Sequence, residues 1–259
     1  MTHIIVVANQ KGGVGKTTTA INLGACLAAA GRRTLIADVD PQGGATTGCG
    51  IAAPAGAHLY QVFLGQCGAR SVIQPAWRGL DVLPTCVDLA AVEVEITTRN
   101  RREWLLRDAL KEVMHDYDVV ILDTPATLGL LFINALACAT CILVPVQCEY
   151  YGLQGVVQMH NTVERVKSGL GIRPAMRILL TMYDGRLRLA RETASHIREH
   201  FGAVLCQTRI SRSVVLAEAP SHGLPIIAFA KASRGAAEYT ALADELLPIS
   251  DSTTKIPDE

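Results

Sequence analysis

Short apolar runs alternate with longer amphipathic stretches along nearly the whole chain. Seven of these runs are continuous in apolar residues, as expected for strands buried on both faces of a parallel sheet. We predict strands at Ile4–Ala8, Thr34–Asp38, Leu80–Pro84, Val119–Leu122, Ile142–Val146, Ile178–Met182 and Ala203–Cys206.

The stretches between the runs have lengths that suit crossover helices, the clearest being Thr17–Ala30, Arg101–His115, Gly152–Lys167 and Ala190–His200. The alternation predicts a single-domain, doubly wound α/β fold with a mostly parallel sheet and helices on both faces. Since no Ser/Pro-rich linker or repeat interrupts it, we expect one domain over residues 1–248. The last residues, ISDSTTKIPDE, are polar and acidic and predict a disordered tail over 249–259.

Composition supports a core-forming chain, with 49% hydrophobic and 19% charged residues among 259. The formal net charge is zero, but the charges are unevenly distributed. Residues 184–235 carry eight basic and four acidic residues, whereas residues 236–259 carry one and six. A basic segment therefore lies inside a neutral protein.

The eight cysteines lie in apolar runs without secretory spacing, and the first strand-like run begins at Ile4. We therefore expect no signal peptide and a reducing cytoplasm. No apolar run approaches the roughly 20 residues of a membrane span. Cys138 and Cys141 form a C-x-x-C, but a zinc site needs two further ligands and no second pair is near. We expect buried thiols there.

Polar residues follow three of the predicted strands. A Gly-rich turn follows the first, Asp38 and Asp40 follow the second, and Asp123 follows Val119–Leu122. Open α/β sheets bind ligands at the carboxyl ends of their strands. The sequence therefore predicts chemistry at one edge of the sheet.

The Gly-rich turn, QKGGVGKTTT, ends in the G-K-T of a phosphate-binding loop. Gln10 stands where the usual pattern has glycine, and Lys11 is a second lysine in the loop. The predicted nucleotide contacts are Lys11, Gly12, Gly13, Val14, Gly15, Lys16, Thr17 and Thr18. The glycines allow successive N–H groups to point at a polyphosphate, and the following helix adds its positive end.

Within this loop, Lys16 is predicted to reach the β- and γ-phosphates, Thr17 to hold Mg²⁺ and Thr18 to bond near the α-phosphate. Asp123 ends an apolar strand, where a Walker B carboxylate binds Mg²⁺ directly or through water. Asp38 and Asp40 alternate, so their side chains point the same way. We assign Asp38 to the Mg²⁺ shell and Asp40 to the attacking water. ATP and Mg²⁺ are the predicted cofactors.

The segment KGGVGKTTTAINLGACLAAAGRRTLIADVDPQGGAT resembles the deviant Walker A loop and switch segment of the ParA/Soj ATPases, which partition chromosomes and plasmids. DTPATLGLL, VPVQCEYYGLQG and LAEAPSHGLPI resemble further segments of that family. The likeness extends from about Thr2 to Leu247.

This resemblance implies that Lys11 crosses a sandwich homodimer to the partner's ATP and that Gly12 lies at the dimer contact. It also implies that Asp40 is needed for hydrolysis and that adenine lies near Met182 and Ile210–Ser211. Catalytic roles thus fall to Lys11, Lys16 and Asp40. A cation supplied in trans neutralises charge on the transferring phosphoryl group, so hydrolysis should weaken the dimer.

The chain departs from the family at Ala126 and Thr127, usually proline and serine, and at Gly44, usually asparagine. None of these changes removes a charged or metal-binding group, so hydrolysis is expected to survive.

Family members bind double-stranded DNA without sequence preference as ATP dimers, using basic residues late in the chain. The candidates here are Arg186, Arg188, Arg209, Arg212, Lys231 and Arg234. Two departures affect this region, because Val215 replaces an arginine and Ser211 a proline. The alternative for each candidate is a solvated, partly salt-bridged side chain.

The resemblance further implies a ParB-type partner that stimulates hydrolysis, and a cytoplasmic, nucleoid-associated protein. One alternative is a MinD-like membrane switch, but the tail has one lysine, three acids and no aromatic residue, unlike a membrane-binding amphipathic helix. A nitrogenase-iron-protein-like carrier is disfavoured because Cys86 and Cys138 lack Gly-flanked loops. A non-hydrolysing scaffold stays open.

Overall fold

The apolar runs assemble into one eight-stranded sheet in the computed structural model, which describes residues 2–52 and 56–251, with side chains to residue 247. The strands are β1 His3–Val7, β2 Thr34–Asp38, β3 Gln74–Trp77, β4 Leu80–Leu83, β5 Val119–Asp123, β6 Cys141–Gln147, β7 Ala175–Tyr183 and β8 Leu205–Ser211. Their order is β3-β4-β2-β5-β1-β6-β7-β8. Only β3 and β4 pair antiparallel within the described chain, so the predicted doubly wound, mostly parallel fold is confirmed.

The helices are α1 Lys16–Ala29, α2 Gly44–Gly48, α3 Leu59–Leu64, α4 Leu89–Glu95, α5 Leu105–Leu110, α6 Leu130–Cys138, α7 Gly152–Leu170, α8 Arg188–Phe201, α9 Val214–Glu218, α10 Ile226–Phe229 and α11 Arg234–Asp251. Short 3₁₀ turns cover Ala69–Ser71, Arg102–Trp104, Met114–Asp116, Gly202–Val204 and Ala219–His222.

Two hydrophobic cores lie on opposite faces of the sheet. In β1, Ile4 and Val6 enter one core while Ile5 and Val7 enter the other, as the alternation of side chains along a strand requires. Helices α3 to α8 cover the first face, and α1, α2 and α9 to α11 cover the second. Burial on both faces explains why the central strands are apolar at most positions.

The two edge strands differ from the prediction. β3, which contains Pro75, has no continuous apolar run and was not predicted. The predicted strand Ala203–Cys206 is displaced, because Gly202–Val204 form a 3₁₀ turn and β8 continues to Ser211 through polar residues. An edge strand is only partly covered, so it tolerates polar side chains and proline that a central strand excludes.

The predicted single helix over Arg101–His115 is wrong. Arg101 has a left-handed backbone with φ of 55°, so an α-helix cannot begin there, and between Arg101 and His115 only Leu105–Leu110 is α-helical. At the other end of the chain, α11 runs to Asp251, three residues into the predicted tail. The rest of that tail, residues 252–259, lies outside the described residues.

Cys138 and Cys141 are both buried, as predicted, and all eight cysteines are free thiols. None of the helices in the described ranges is long and apolar enough to cross a membrane.

Close packing of α1 on the sheet depends on Gly24. A Cβ at Gly24 would lie 3.0 Å from the Cδ1 atom of Ile36, whereas a Cβ at Gly155 in α7 would meet nothing within 4 Å. We expect Gly24→Val to destabilise the protein by about 1–3 kcal/mol through overpacking, measured by urea unfolding. Gly155→Val is the control, and an equal effect of the two substitutions would contradict this packing argument.

Candidate active site

The loop between β1 and α1 is shaped by left-handed glycines and held by side chains of neighbouring elements. Gly13 and Gly15 have φ of 72° and 89°, which favours glycine at both positions. The Gly13 carbonyl accepts a 2.9 Å hydrogen bond from Nε2 of Gln147, and the Val14 carbonyl accepts one of 2.8 Å from the Thr181 hydroxyl. A Cβ at Gly13 would meet nothing within 4 Å. The loop is therefore fixed from β6 and β7 and open on its outer side.

The two loop lysines have different surroundings. Lys16 is only 8% exposed, and its Nζ lies 3.5 Å from the Lys11 carbonyl. Burial lowers the pKa of Lys16, against the opposing charges of Asp123 and Asp40. Lys11 instead points outward, and its Nζ forms a 2.9 Å ion pair with Glu149, both side chains being about half exposed.

Two carboxylates are buried side by side where β2 and β5 end. Asp38 and Asp123 are register partners and both are 0% exposed. Oδ2 of Asp38 accepts hydrogen bonds of 2.7 Å from the N–H and the hydroxyl of Thr46. Neither oxygen of Asp123 has a hydrogen-bond partner among the described residues. Burial, followed by the Asp38 charge, raises the pKa of Asp123 well above its usual range, although the nearby Thr17 hydroxyl lowers it.

The surroundings of Asp123 fit Mg²⁺. An orphaned, fully buried carboxylate beside a threonine hydroxyl offers the hard oxygen ligands that this ion prefers. The described part of the chain contains no group of three or more His, Cys, Asp or Glu side chains that could hold a metal ion. In nucleotide sites, Mg²⁺ is usually held by one or two carboxylates together with phosphate oxygens and water.

A switch segment, residues 40–48, leads from Asp40 into α2. Asp40 is half-buried, and its Oδ1 accepts a 3.0 Å hydrogen bond from the N–H of Gln42. The Asp40 carbonyl accepts a further hydrogen bond of 2.9 Å from the N–H of Gly43. Gly43, which has a φ of 67°, is the residue directly before α2. Asp40 thus lies at the open end of the site, where water can reach it.

Thr18, Met182 and Ile210 line one cavity together with Ser211 and Tyr239. This is the neighbourhood predicted for adenine. The N–H and hydroxyl of Ser211 donate hydrogen bonds of 2.8 Å and 2.6 Å to Glu238. The proline that is usual at this position could not donate either bond.

The six predicted DNA-contacting residues lie in the part of the chain after β7, with Arg186 in the loop after β7, Arg188 at the start of α8, Arg209 within β8, Arg212 just after β8, Lys231 between α10 and α11, and Arg234 at the start of α11. Three have carboxylate partners: Arg186 with Asp184 at 2.7 Å, Arg188 with Glu192 at 2.6 Å and Arg234 with Glu238 at 2.7 Å. The Arg209 guanidinium lies 4.7 Å from the centre of the Tyr183 ring. Arg212 and Lys231 are exposed and form no ion pair within the described residues. A partly salt-bridged face therefore accounts for half of the set.

Sequence reasoning missed Asn9, Thr46, Gln147, Glu149 and Thr181. Asn9 holds the loop by accepting a 2.9 Å bond from the N–H of Lys11 and donating one of 2.7 Å to the Pro145 carbonyl. Gln147 and Glu149 stand at and just after the end of β6, so the signal used for the aspartates, a polar residue at the carboxyl end of a buried strand, could have found them.

A glycine-shaped phosphate loop, a buried lysine and paired carboxylates at the carboxyl edge of a parallel sheet define a P-loop nucleotide-binding protein. The family model described as an AAA domain matches residues 2–178. The chromosome-partitioning protein ParA of Myxococcus xanthus is 44% identical over 95% of this chain and 88% of its own. The chromosome-partitioning ATPase Soj of Thermus thermophilus is 46% identical over 94% of each chain.

The chain therefore belongs to the ParA/Soj family of partitioning ATPases. Among solved structures, a cobyrinic acid a,c-diamide synthase from Mycobacterium smegmatis, with bound ATP analogue and magnesium, is similar over the full length of both chains. It is 32% identical, with a TM-score of 0.86.

We expect Asp123→Asn to stabilise the protein when nucleotide and Mg²⁺ are absent. The folded protein binds the Asp123 proton more tightly than the unfolded chain does, because the pKa is raised. Stability is therefore lost as the pH rises from about 4 through the raised pKa, and the substitution removes this loss. Above that pKa we expect a gain of about 1–3 kcal/mol.

The measurement is thermal unfolding in EDTA across pH 4.5–8, where each kcal/mol corresponds to about 2–4 °C in Tm. The exposed Asp244→Asn is the matched control. A Tm that is unchanged by Asp123→Asn at all pH values would contradict the assignment of Asp123 as an uncompensated buried carboxylate.

Proposed function

We propose that this chain is a Mg·ATP-dependent DNA-partitioning ATPase whose ATP-bound form is a sandwich homodimer that binds double-stranded DNA without sequence preference. Hydrolysis, which a ParB-type partner stimulates, then releases the DNA. This cycle serves the segregation of a chromosome or plasmid on the nucleoid. The observation that carries the proposal is that the side chains of the two loop lysines occupy different surroundings. Lys16 is buried inside its own loop, whereas Lys11 extends to the rim, toward Glu149.

The loop residues 12–18 cradle the polyphosphate with their N–H groups, and Lys16 neutralises the β- and γ-phosphates. Thr17 and Asp123 would hold Mg²⁺, with Asp38 beside them. Mg²⁺ held there would supply positive charge to offset the negative charge that develops during phosphoryl transfer. Asp40 orients the attacking water, whose oxygen bonds to the γ-phosphorus as the bond to the β–γ bridging oxygen breaks.

Lys11 would act on the nucleotide of the second protomer. Its own loop already contains a buried lysine, and its ammonium lies at the surface, where another protomer can reach it. A cation supplied in trans to a transferring phosphoryl group accelerates hydrolysis by roughly 10³–10⁵ when it is an arginine. Two nucleotides facing each other would otherwise repel, so ATP holds the dimer together only while such cations lie between the phosphates.

Exposed apolar side chains at the same edge of the sheet support a protein partner over the site. Large apolar side chains are exposed after β4 to β8, at Val87, Leu128, Tyr150, Tyr151, Leu187 and Val214. The rings of Tyr150 and Tyr151, which follow Glu149, form an edge-to-face pair with centroids 4.9 Å apart. Apolar side chains gathered at one end of a molecule typically mark an interaction surface.

The basic residues that follow β7 and β8 share this edge, so a dimer that closes over ATP can align two sets of them. Phosphate contacts give non-specific affinities of roughly 1–100 μM and a salt slope of about −0.9 per phosphate neutralised. Arg212 and Lys231 are expected to contribute most, because neither forms an ion pair with a carboxylate of the described residues.

The oligomeric state with ATP and Mg²⁺ tests the proposal. We expect Asp40→Ala to form a dimer trapped by ATP, because the nucleotide is bound but not hydrolysed, and Lys16→Ala and Lys11→Ala to stay monomeric. The mass is measured by light scattering after size exclusion. Lys111→Ala is the control, since Lys111 is also an exposed lysine in an ion pair, with Asp108. A monomeric Asp40→Ala protein under these conditions would refute the mechanism.

DNA affinity at several salt concentrations tests the basic surface. For the Asp40→Ala dimer we expect a log–log slope of about −4 or steeper. Arg212→Ala or Lys231→Ala should make the slope shallower by about 2, one unit for each protomer. Arg173 is exposed just before β7, at the opposite edge of the sheet, so Arg173→Ala is the control. An affinity that does not change with salt would exclude this surface as the DNA contact.

A further inference from the structure

The carboxylate of Asp38 is engaged by the chain's own switch segment. Oδ2 accepts the N–H and the hydroxyl of Thr46, both at 2.7 Å, and Oδ1 accepts the N–H of Asp40 at 3.3 Å. Asp38 and Thr46 are 0% and 2% exposed. Charge-assisted hydrogen bonds of this length in a buried place are among the stronger ones in proteins.

The Thr46 hydroxyl also joins a third element. Its oxygen accepts a 3.1 Å hydrogen bond from the N–H of Thr85, which follows β4. A hydroxyl group has one proton to donate and two lone pairs that accept. The Thr46 hydroxyl therefore donates its proton to Asp38 while one of its lone pairs accepts from the N–H of Thr85. Thr46 thus ties α2 to the ends of both β2 and β4.

The start of α2 lies directly against the predicted Mg²⁺ ligand Thr17. A Cβ on Gly44 would lie 3.1 Å from Cγ2 and 3.4 Å from Oγ1 of Thr17. Asp123, in contrast to Asp38, has two buried oxygens without a partner. The position of α2 therefore decides how the switch segment faces Thr17 and Asp123.

We propose that Thr46 is a positioning residue for ATP hydrolysis. Its hydrogen bonds hold Asp38 in place as the anchor of the switch segment, so that Asp123 and Thr17 are the side chains that would bind Mg²⁺. This inference rests on the proposed nucleotide site and assigns Asp38 a role other than metal ligand. Asp40, at the other end of the switch segment, is held over the site by the same anchor.

Hydrolysis kinetics test the role of Thr46. Thr46→Val keeps the shape of the side chain but loses the hydroxyl, so we expect kcat to fall at least tenfold while KM for ATP changes less than threefold. Thr46→Ser should restore kcat to within twofold of the wild type. Thr47→Val is the matched control, because the Thr47 hydroxyl bonds only to carbonyls of its own turn. A wild-type kcat for Thr46→Val, or equal losses in kcat and ATP affinity, would overturn the assignment.

Mg²⁺ dependence of nucleotide binding separates the two carboxylates without relying on turnover. The binding of a fluorescent ATP analogue is titrated with Mg²⁺ for each variant. We expect Asp38→Asn to keep the Mg²⁺ midpoint within threefold, because an amide oxygen can still accept from Thr46. Asp123→Asn should raise that midpoint at least tenfold. The reverse ranking would show that Asp38 is the metal ligand and would overturn the proposal.

These outcomes are distinct from failure of the proposed function. If the wild type shows no Mg²⁺-dependent binding of the analogue, the nucleotide site itself is wrong and the role of Thr46 falls with it. If the wild type binds and only the variant results disagree, the nucleotide site stands and the role of Thr46 alone is refuted. Dimerisation and DNA binding enter neither measurement.

Discussion

Burying two carboxylates next to each other at the end of a parallel sheet costs free energy, because each loses its hydration and each opposes the charge of the other. The register of β2 and β5 imposes this arrangement on Asp38 and Asp123. The two buried carboxylates are compensated to different extents. Asp38 receives hydrogen bonds from the chain, while Asp123 receives none from the described residues. If Asp123 binds Mg²⁺, as we propose above, the uncompensated charge that lowers the stability of the free protein also raises its affinity for Mg²⁺.

The same constraint organises the surrounding elements. Lys16 is the buried cation nearest this pair of charges, and its own desolvation is tolerated because Asp123 and Asp40 oppose the fall in its pKa. The loop that carries Lys16 is held by Gln147 and Thr181 from the far side of β1. The site is therefore assembled from five parallel strands, β2, β5, β1, β6 and β7, whose carboxyl ends meet at one edge.

Sequence patterns predicted the central strands well because burial on both faces makes each of them a mostly apolar run. The same criterion failed at the edges, where β3 contains proline and β8 is mostly half-exposed. It also failed at Arg101–His115, where helical periodicity could not reveal a left-handed backbone at Arg101. The predictions for Lys16 and Thr17 rest on a local motif, which can be recognised along the chain just as an apolar run can. Pairings across long sequence separations, such as Lys11 with Glu149, leave no such local trace.

The carboxylate partners of Arg186, Arg188 and Arg234 have a kinetic consequence. A guanidinium that already has an internal anion exchanges one partner for another when a phosphate arrives, so the net attraction is smaller than that of a bare cation. Such exchange favours dissociation of a bound polyanion, because the displaced carboxylate remains nearby and can pair with the guanidinium again. If these arginines contact DNA, as we propose above, the arrangement favours rapid release of the DNA over a long residence.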